Sequence, residues 1–360
     1  MIIDNTLKTD ISPAYRAALE GAALHDEAPS GRIFLRGRDR AALLHRLSTN
    51  DIERLLPGQG ARTVLTTPIG RIIDLLTVHA LDDGLLLVTG PGQGGPVWSH
   101  LKKNIFFNDQ ATLEAAGRSH GQFALYGPSA APLLAELAGA ALDELPLHHT
   151  ATVELAGGPV LVAARPPIGG PSFTLYPPAD RLEAVGGALA AAGAMPLDDT
   201  TFDVLRIEQG YAATGHELSQ EYIPLETGLL DAVSFTKGCY VGQEIIARME
   251  SRGRLAKQLR GLRLKTDPSA PRFPSSTRGR AGDRRPTTDD QPVVGGRWSV
   301  VAPAKLEVEG KDAGDLTSVA PSPRFGPIAL AYVRTAHAEP GGTVGIAGSD
   351  VRGEVVELPF

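Results

Sequence analysis

The sequence predicts an α+β protein of more than one domain. Alternating apolar runs at 61–67, 71–80 and 85–89 are joined by Pro68-Ile69-Gly70 and Asp82-Asp83-Gly84, the punctuation of an antiparallel meander. No alternating βα series continues from that meander, which argues against a parallel sheet. The 360 residues exceed one ordinary domain, so two or three are expected.

From the N-terminus, Ser12-Pro13 reads as a helix cap with a first-turn proline, opening a helix through Tyr15, Ala18 and Leu19. Residues 32–36 alternate as a strand. Gly37-Arg38-Asp39-Arg40 then turns the chain into a helix carrying Leu43, Leu44 and Leu47, which ends at the small polar residues Ser48-Thr49-Asn50-Asp51. In the meander, Asp74 is one acid within Ile72-Ile73-Asp74-Leu75-Leu76, on the face of Ile72 and Leu76 by alternation. Half-buried there, it needs a partner or a raised pKa. On an exposed face it needs neither, and the residues alone leave both open. Gly90, Gly92 and Gly95 match G-x-G-x-x-G formally. They follow a meander and are stiffened by Pro91 and Pro96, so a dinucleotide site is not expected.

A helix is predicted over 97–107, strands over 112–116 and 122–126, and a helix over 130–138. A hairpin over 153–164, a strand over 172–176 and an alanine-rich helix over 181–192 follow. His148-His149 have no third ligand for a metal and are read as surface residues. A helix over 200–211, with Thr200 and Asp203 as a capping pair, holds Leu205-Arg206-Ile207-Glu208. Beyond Arg252-Gly253-Arg254 come a strand over 258–265 and a Pro/Ser/Arg/Gly/Asp stretch over 266–296, read as a mobile insertion. Strands over 305–308, 314–318, 328–333 and 351–358 read as a small barrel. No internal sequence repeat is evident.

Apolar content of 42% with 21% charged residues suits a soluble globular chain, and no apolar run is long enough to span a bilayer. The first residues carry early acids and no signal-peptide core, so a cytoplasmic location is expected. A single cysteine excludes a disulfide framework and a self-contained four-thiolate cluster; no metal site is expected. The net charge of −6 conceals an asymmetry: Lys237 to Arg285 holds 13 Lys/Arg against 4 Asp/Glu, a local +9. Such a cluster suits a polyanion, either a polyglutamylated tail or RNA, or else a solvated basic face.

The lone cysteine lies in Thr236-Lys237-Gly238-Cys239-Tyr240-Val241-Gly242-Gln243-Glu244, ahead of a short helix through Arg248 and Met249. A helix start leaves backbone N–H groups unpaired, and these, the helix dipole and Lys237 would all favour a Cys239 thiolate. A small buried filler is the other reading of a free cysteine, and spacing alone does not separate the two. Lys-Gly-Cys-Tyr-x-Gly-Gln-Glu resembles the signature of the YgfZ-type folate-binding proteins, relatives of the glycine-cleavage T-protein (aminomethyltransferase) that assist iron–sulfur proteins. Leu205-Arg206-Ile207-Glu208-Gln209-Gly210 is similar to the R-x-E-x-G segment of the same superfamily.

The resemblance, from Gly37 to Phe360, implies a three-lobed ring of two α+β lobes with antiparallel sheets and a C-terminal β-barrel. Lobe boundaries are expected at 1–45 with 118–250, at 46–117 and at 251–360. It implies tetrahydrofolate as cofactor, with Glu208 pairing the pterin edge, a bidentate match for a carboxylate; a helix-surface ion pair is the alternative for Glu208. Arg206, Tyr240, Gln243 and Arg248 are further candidate folate contacts. Cys239, Lys237 and Asp74 are candidate catalytic residues. Where the T-protein pattern Gly-x-x-x-Asp-Asp has two acids, Gly70-Arg71-Ile72-Ile73-Asp74-Leu75 has one. That departure favours a folate-binding monomer assisting assembly or repair of iron–sulfur enzymes. Aminomethyl or other one-carbon transfer, and RNA binding linked to tRNA modification, are the alternatives.

Overall fold

The structure, a computed structural model, describes residues 12–253, 255–266 and 302–360. The expected insertion at 266–296 falls almost wholly outside the described residues. Helix α1 (Pro13–Glu20) starts as predicted, with the Ser12 hydroxyl accepting from the Tyr15 N–H at 3.1 Å. Five strands then form an antiparallel sheet in the order β3-β4-β5-β2-β6. They are β2 (Ser30–Arg36), β3 (Gly60–Thr66), β4 (Ile72–Leu81), β5 (Gly84–Pro91) and β6 (Thr112–Ala115). Helices α2 (Arg40–Leu47) and α3 (Gly94–Lys103) bury Leu43, Leu44, Leu47, Val97 and Leu101 against Leu65, Leu76, Val78 and Leu87 of this sheet. Helix α3 begins three residues before the predicted start and ends four before the predicted end.

The second sheet has six strands in the order β11-β1-β7-β10-β9-β8: β1 (Ala23–Asp26), β7 (Phe123–Tyr126), β8 (Thr150–Glu154), β9 (Pro159–Arg165), β10 (Ser172–Tyr176) and β11 (Met195–Leu197). Only β1 and β11 run parallel. Helices α4 (Ala130–Ala138) and α5 (Leu182–Ala191) supply Leu133, Leu134, Val185 and Leu189 to its core. The chain enters this sheet through β1, leaves to build the whole of the other, and returns at β7. Strand β2 pairs with β5 and β6, so the five-stranded sheet begins at Ser30, whereas the sequence reading kept residues up to 45 in the other lobe.

The two sheets share one chain path. The run β2-α2-β3-β4-β5-α3-β6 corresponds to β7-α4-β8-β9-β10-α5-β11, with β1 inserted beside β11. Matching points lie 90 residues apart: Gly37 and Gly127, Arg40 and Ala130 at the helix starts, Gly58 and His148, Gly60 and Thr150 at the strand starts. What recurs is turn conformation and the residues that pack: Gly37, Ala41, Leu43, Leu44 and Leu47 match Gly127, Ala131, Leu133, Leu134 and Leu137 at that spacing, a sparse repeat the sequence reading did not find.

The third unit is a closed barrel, β12-β15-β14-β13-β16-β17, built from β12 (Lys257–Thr266), β13 (Ala304–Val308), β14 (Lys311–Ser322), β15 (Gly326–Arg334), β16 (Thr343–Ile346) and β17 (Val351–Val356). Helix α6 (Asp199–Glu208) joins it to the sheets by packing on β14 and β15, and Tyr222 stacks on Tyr332 with ring centroids 3.4 Å apart. Asp198 caps α6, accepting from the Thr201 N–H at 2.8 Å; the expected Thr200–Asp203 pair does not. The last α-helix among the described residues, α7, spans Gln243–Arg252. No helix among the described residues is long and apolar enough to cross a membrane.

Candidate functional site: a hollow between the two sheets

A cavity of about 530 Å³ lies between the inner faces of the two sheets, with α6 and the loop after it as a third wall. That volume is within the range of small-molecule sites. Along β4, alternation turns Leu75, Thr77 and His79 into the hollow. Across from them stand Thr174 and Tyr176 of β10 and Ala163 to Arg165 of β9 and its end. Phe202 and Arg206 of α6, and Tyr211 to Thr214, close the side.

Asp74 sits one residue off this register and is fully buried behind the wall. Its carboxylate accepts from the Gly90 N–H at 3.0 Å and the Thr214 hydroxyl at 3.3 Å, both residues of the lining. Burial pushes the carboxyl up to about 6, opposed by those same hydrogen bonds. Of the two positions where the T-protein pattern has acids, the one facing the hollow here carries leucine. Gly90 is explained by the same contact: a Cβ there would lie 1.9 Å from the Thr214 hydroxyl oxygen. Its glycine serves this close approach, and no βαβ unit surrounds it.

Arg206 lines the hollow but is fully engaged. Its guanidinium meets Asp203 at 2.6 Å, Glu217 at 2.8 Å and the Ser318 hydroxyl at 2.7 Å. Glu217 in turn accepts from Thr317 and Ser318 of β14, so this buried network ties α6 to the barrel. Arg206 heads the causes that hold the Glu217 carboxyl low against its burial. Glu208 points elsewhere. It is buried, accepts from Tyr15 at 2.7 Å and Ser322 at 2.5 Å, has Arg324 at 4.0 Å, and is absent from the lining of the hollow. Glu208 is therefore not placed to pair with a pterin seated in this hollow, although both hydroxyls engage its Oε1 and its buried Oε2 has no hydrogen-bond partner among the described residues. The surface ion pair is not its role either.

Residues 5–237 match the GCVT N-terminal domain, and residues 286–360 match the glycine cleavage T-protein C-terminal barrel domain. The chain belongs to the glycine cleavage T-protein family. It is 32% identical over 341 residues to a provisionally named chloroplastic transferase of Arabidopsis thaliana, covering 94% of this chain and 71% of that one. It is 29% identical to the aminomethyltransferase of Exiguobacterium sibiricum over 98% of this chain and 90% of the relative. The crystal structure of aminomethyltransferase T from Bartonella henselae superposes with a TM-score of 0.79 at 22% identity, over 96% of this chain and 88% of that one, a likeness of fold.

Within this T-protein fold, the Lys-Gly-Cys-Tyr segment lies outside the lining of the hollow. Lys237 is buried and donates to the carbonyls of His45 (2.5 Å), Ser48 (2.8 Å) and Asn50 (2.7 Å), capping the C-terminus of α2. Burial draws its ammonium down to about 8. Three backbone carbonyls, rather than the Cys239 sulfur, are the partners of that ammonium. Cys239 is exposed, in a loop three residues before the Gly242 cap of α7, so neither the buried-filler reading nor a seat at the helix start holds. Tyr240 is buried among Ile223, Leu225, Val233 and Ile246, and burial pushes its hydroxyl up to about 12. Gln243 opens α7, and Arg248 pairs with Glu244 at 3.0 Å on the surface. Of the basic cluster, Lys257 is paired with Asp315 and Lys265 with Glu354, while 267–301 lie outside the described residues.

Sequence reasoning missed the polar lining of the T-protein hollow. Glu27 is gripped by Arg165 at 2.8 Å and Gln122 at 2.7 Å. His25 binds Asp199 at 2.8 Å and stacks on Phe202. His79 contacts the Tyr176 hydroxyl and the His148 carbonyl, each at 3.0 Å, and burial lowers its pKa to about 4. His148, read as a surface residue, is buried in the lining. Thr77 and His79 alternate with Val78 and Leu76 along one strand, a polar face on an otherwise apolar run. That was the available signal.

Proposed function

We propose that this chain binds a reduced folate in the hollow between the two sheets and transfers a one-carbon group to or from it. The observation that carries the reading is the hollow itself: about 530 Å³, walled by two rigid sheets, apolar at Leu75 and Phe202 and polar at spaced points. Relatives named as aminomethyltransferases over nearly the whole chain support the same reaction class. Asp74 serves this site as a positioning residue. It holds Thr214 and the Gly90 backbone in the wall and reaches the ligand only through them. Folate supplies the one-carbon chemistry when bound; the protein orients it and excludes water. The test is transfer from an S-aminomethyl dihydrolipoyl carrier to tetrahydrofolate, with ammonia and the free dihydrolipoyl thiol released, read as methylene-tetrahydrofolate by mass spectrometry. Product formed with wild type and lost on filling the hollow is expected.

A second reading, a YgfZ-type folate-binding factor for iron–sulfur enzymes, is favoured by two particular observations. Leucine stands where the wall of the hollow needs an acid for base catalysis, and Cys239 is exposed for a partner. Folate binding without any turnover, together with loss of iron–sulfur enzyme activity in cells carrying Cys239→Ala, would replace the first reading by this one.

A further inference from the structure

The turn at His148 departs from the rule its own fold sets. In the five-stranded lobe the matching turn has Gly58 at φ 84°; in the six-stranded lobe His148 takes that place at φ 66°. The two turns share one hydrogen-bond pattern. The Gly58 and His148 N–H groups donate to Ala80 and Ala164, and those residues' N–H groups donate back to Gln59 and His149. A left-handed backbone is natural for glycine and costly for an imidazole-bearing residue. The side chain adds a second cost. It is 93% buried, 7% remaining exposed, yet its Nε2 has no hydrogen-bond partner. Two penalties at one residue that a glycine would avoid mark a site kept for function.

The surroundings say what that function is. His148 lines the hollow at the end of β4 marked by His79, four residues and about 13 Å along the strand from Leu75. Arg62 and Arg165 share that end of the lining, with the Tyr176 hydroxyl. We infer that His148 is a ligand-binding residue whose Nε2–H donates to an acceptor oxygen, carbonyl or carboxylate, at this end of the hollow. For a reduced folate, on which reading the inference rests, that oxygen belongs to the benzoyl-glutamyl portion and the pterin lies toward Leu75. Desolvation first, then the nearby Arg62 and His79, hold the imidazole neutral, with a pKa of about 3; Asp231 opposes and Arg165 adds to this. The donor is therefore uncharged throughout the physiological range.

The experiment is calorimetric titration of wild type, His148→Gly and His148→Phe with tetrahydrofolate and with 6-methyltetrahydropterin, which lacks the benzoyl-glutamyl oxygens. Both variants are expected to bind tetrahydrofolate about tenfold more weakly, by an equal factor at pH 6 and pH 8, and the pterin fragment as wild type does. His148→Gly, having the residue the sister turn uses, is expected to keep or raise the melting temperature. Tetrahydrofolate binding within twofold of wild type in either variant overturns the inference. So does a loss shared equally by the fragment, or a loss accompanied by a clear fall in melting temperature in His148→Gly. If wild type itself fails to bind tetrahydrofolate, the folate reading fails, and the inference with it.

Discussion

Lys237 illustrates how a residue's chemistry is decided by what its charged end reaches. Three carbonyls at the end of α2 converge on its ammonium. Lys237→Met is expected to cost about 1–3 kcal/mol in urea unfolding, since buried acceptors lose a donor. Alkylation of Cys239 by iodoacetamide should stay within twofold of wild type; a tenfold drop would restore the lysine as activator of the thiol. Asp74 makes a second residue-scale prediction. Its folded pKa, about 6, lies above the ordinary 3.8, so the folded state binds the extra proton between these values. The sign follows: no penalty exists below 3.8, and the full penalty is present above 6. Asp74→Asn should therefore be more stable than wild type at pH 7, by about 1–3 kcal/mol, with the advantage vanishing by pH 4. Equal stability at both pH values in paired unfolding curves would contradict the burial of this carboxylate. The face that Asp74 shares with Ile72 and Leu76 was legible from alternation, while its burial, which the residues alone left open, was not. The positions of Glu208 and Lys237 relative to the hollow were not legible either, because each depends on contacts with residues more than a hundred positions away.

At the scale of elements, α6 is the joint between the sheets and the barrel. Asp198 caps it, and Asp198→Ala should cost about 1 kcal/mol. The greater dependence is on the Arg206–Glu217 pair, which is buried on both sides and extended by Thr317 and Ser318. Glu217→Ala leaves that guanidinium with the half-exposed Asp203 as its one carboxylate partner among the described residues and should cost about 3–5 kcal/mol. The Glu217 carboxyl is held below its ordinary value, so its contribution is complete above about 4.5 and is lost as pH falls through the lower folded value. A Glu217→Ala protein whose chemical denaturation midpoint at pH 7 matches wild type would show that the barrel is held some other way. The long alternating strand β4 and the continuous apolar run of β15 were readable from pattern alone. Strands β1, β11 and β16 were not, having three or four residues each and too few positions to show a period. The Asp198 cap was missed for a similar reason: Asp198, Asp199 and Thr200 all qualify by residue type, and only the backbone decides.

At the scale of the molecule, the same chain path is used twice and the two copies face each other across a hollow. The proposed site draws on positions where the copies differ. Leu75 and His79 line one wall and Arg165 and His148 the other. Fold class and the closed barrel followed from turn punctuation, strand pattern and resemblance; the hollow could not, because it is made by two sheets whose facing strands are about ninety residues apart in sequence. Its polar lining reads, in sequence, as scattered histidines and arginines. Folate binding in the hollow is tested most directly by one titration: tetrahydrofolate into wild type, Thr77→Trp, which fills the hollow from β4, and Cys239→Ser. One-to-one binding in wild type and Cys239→Ser, absent in a folded Thr77→Trp, is the result predicted. Undiminished binding by Thr77→Trp would place the ligand elsewhere and contradict the account.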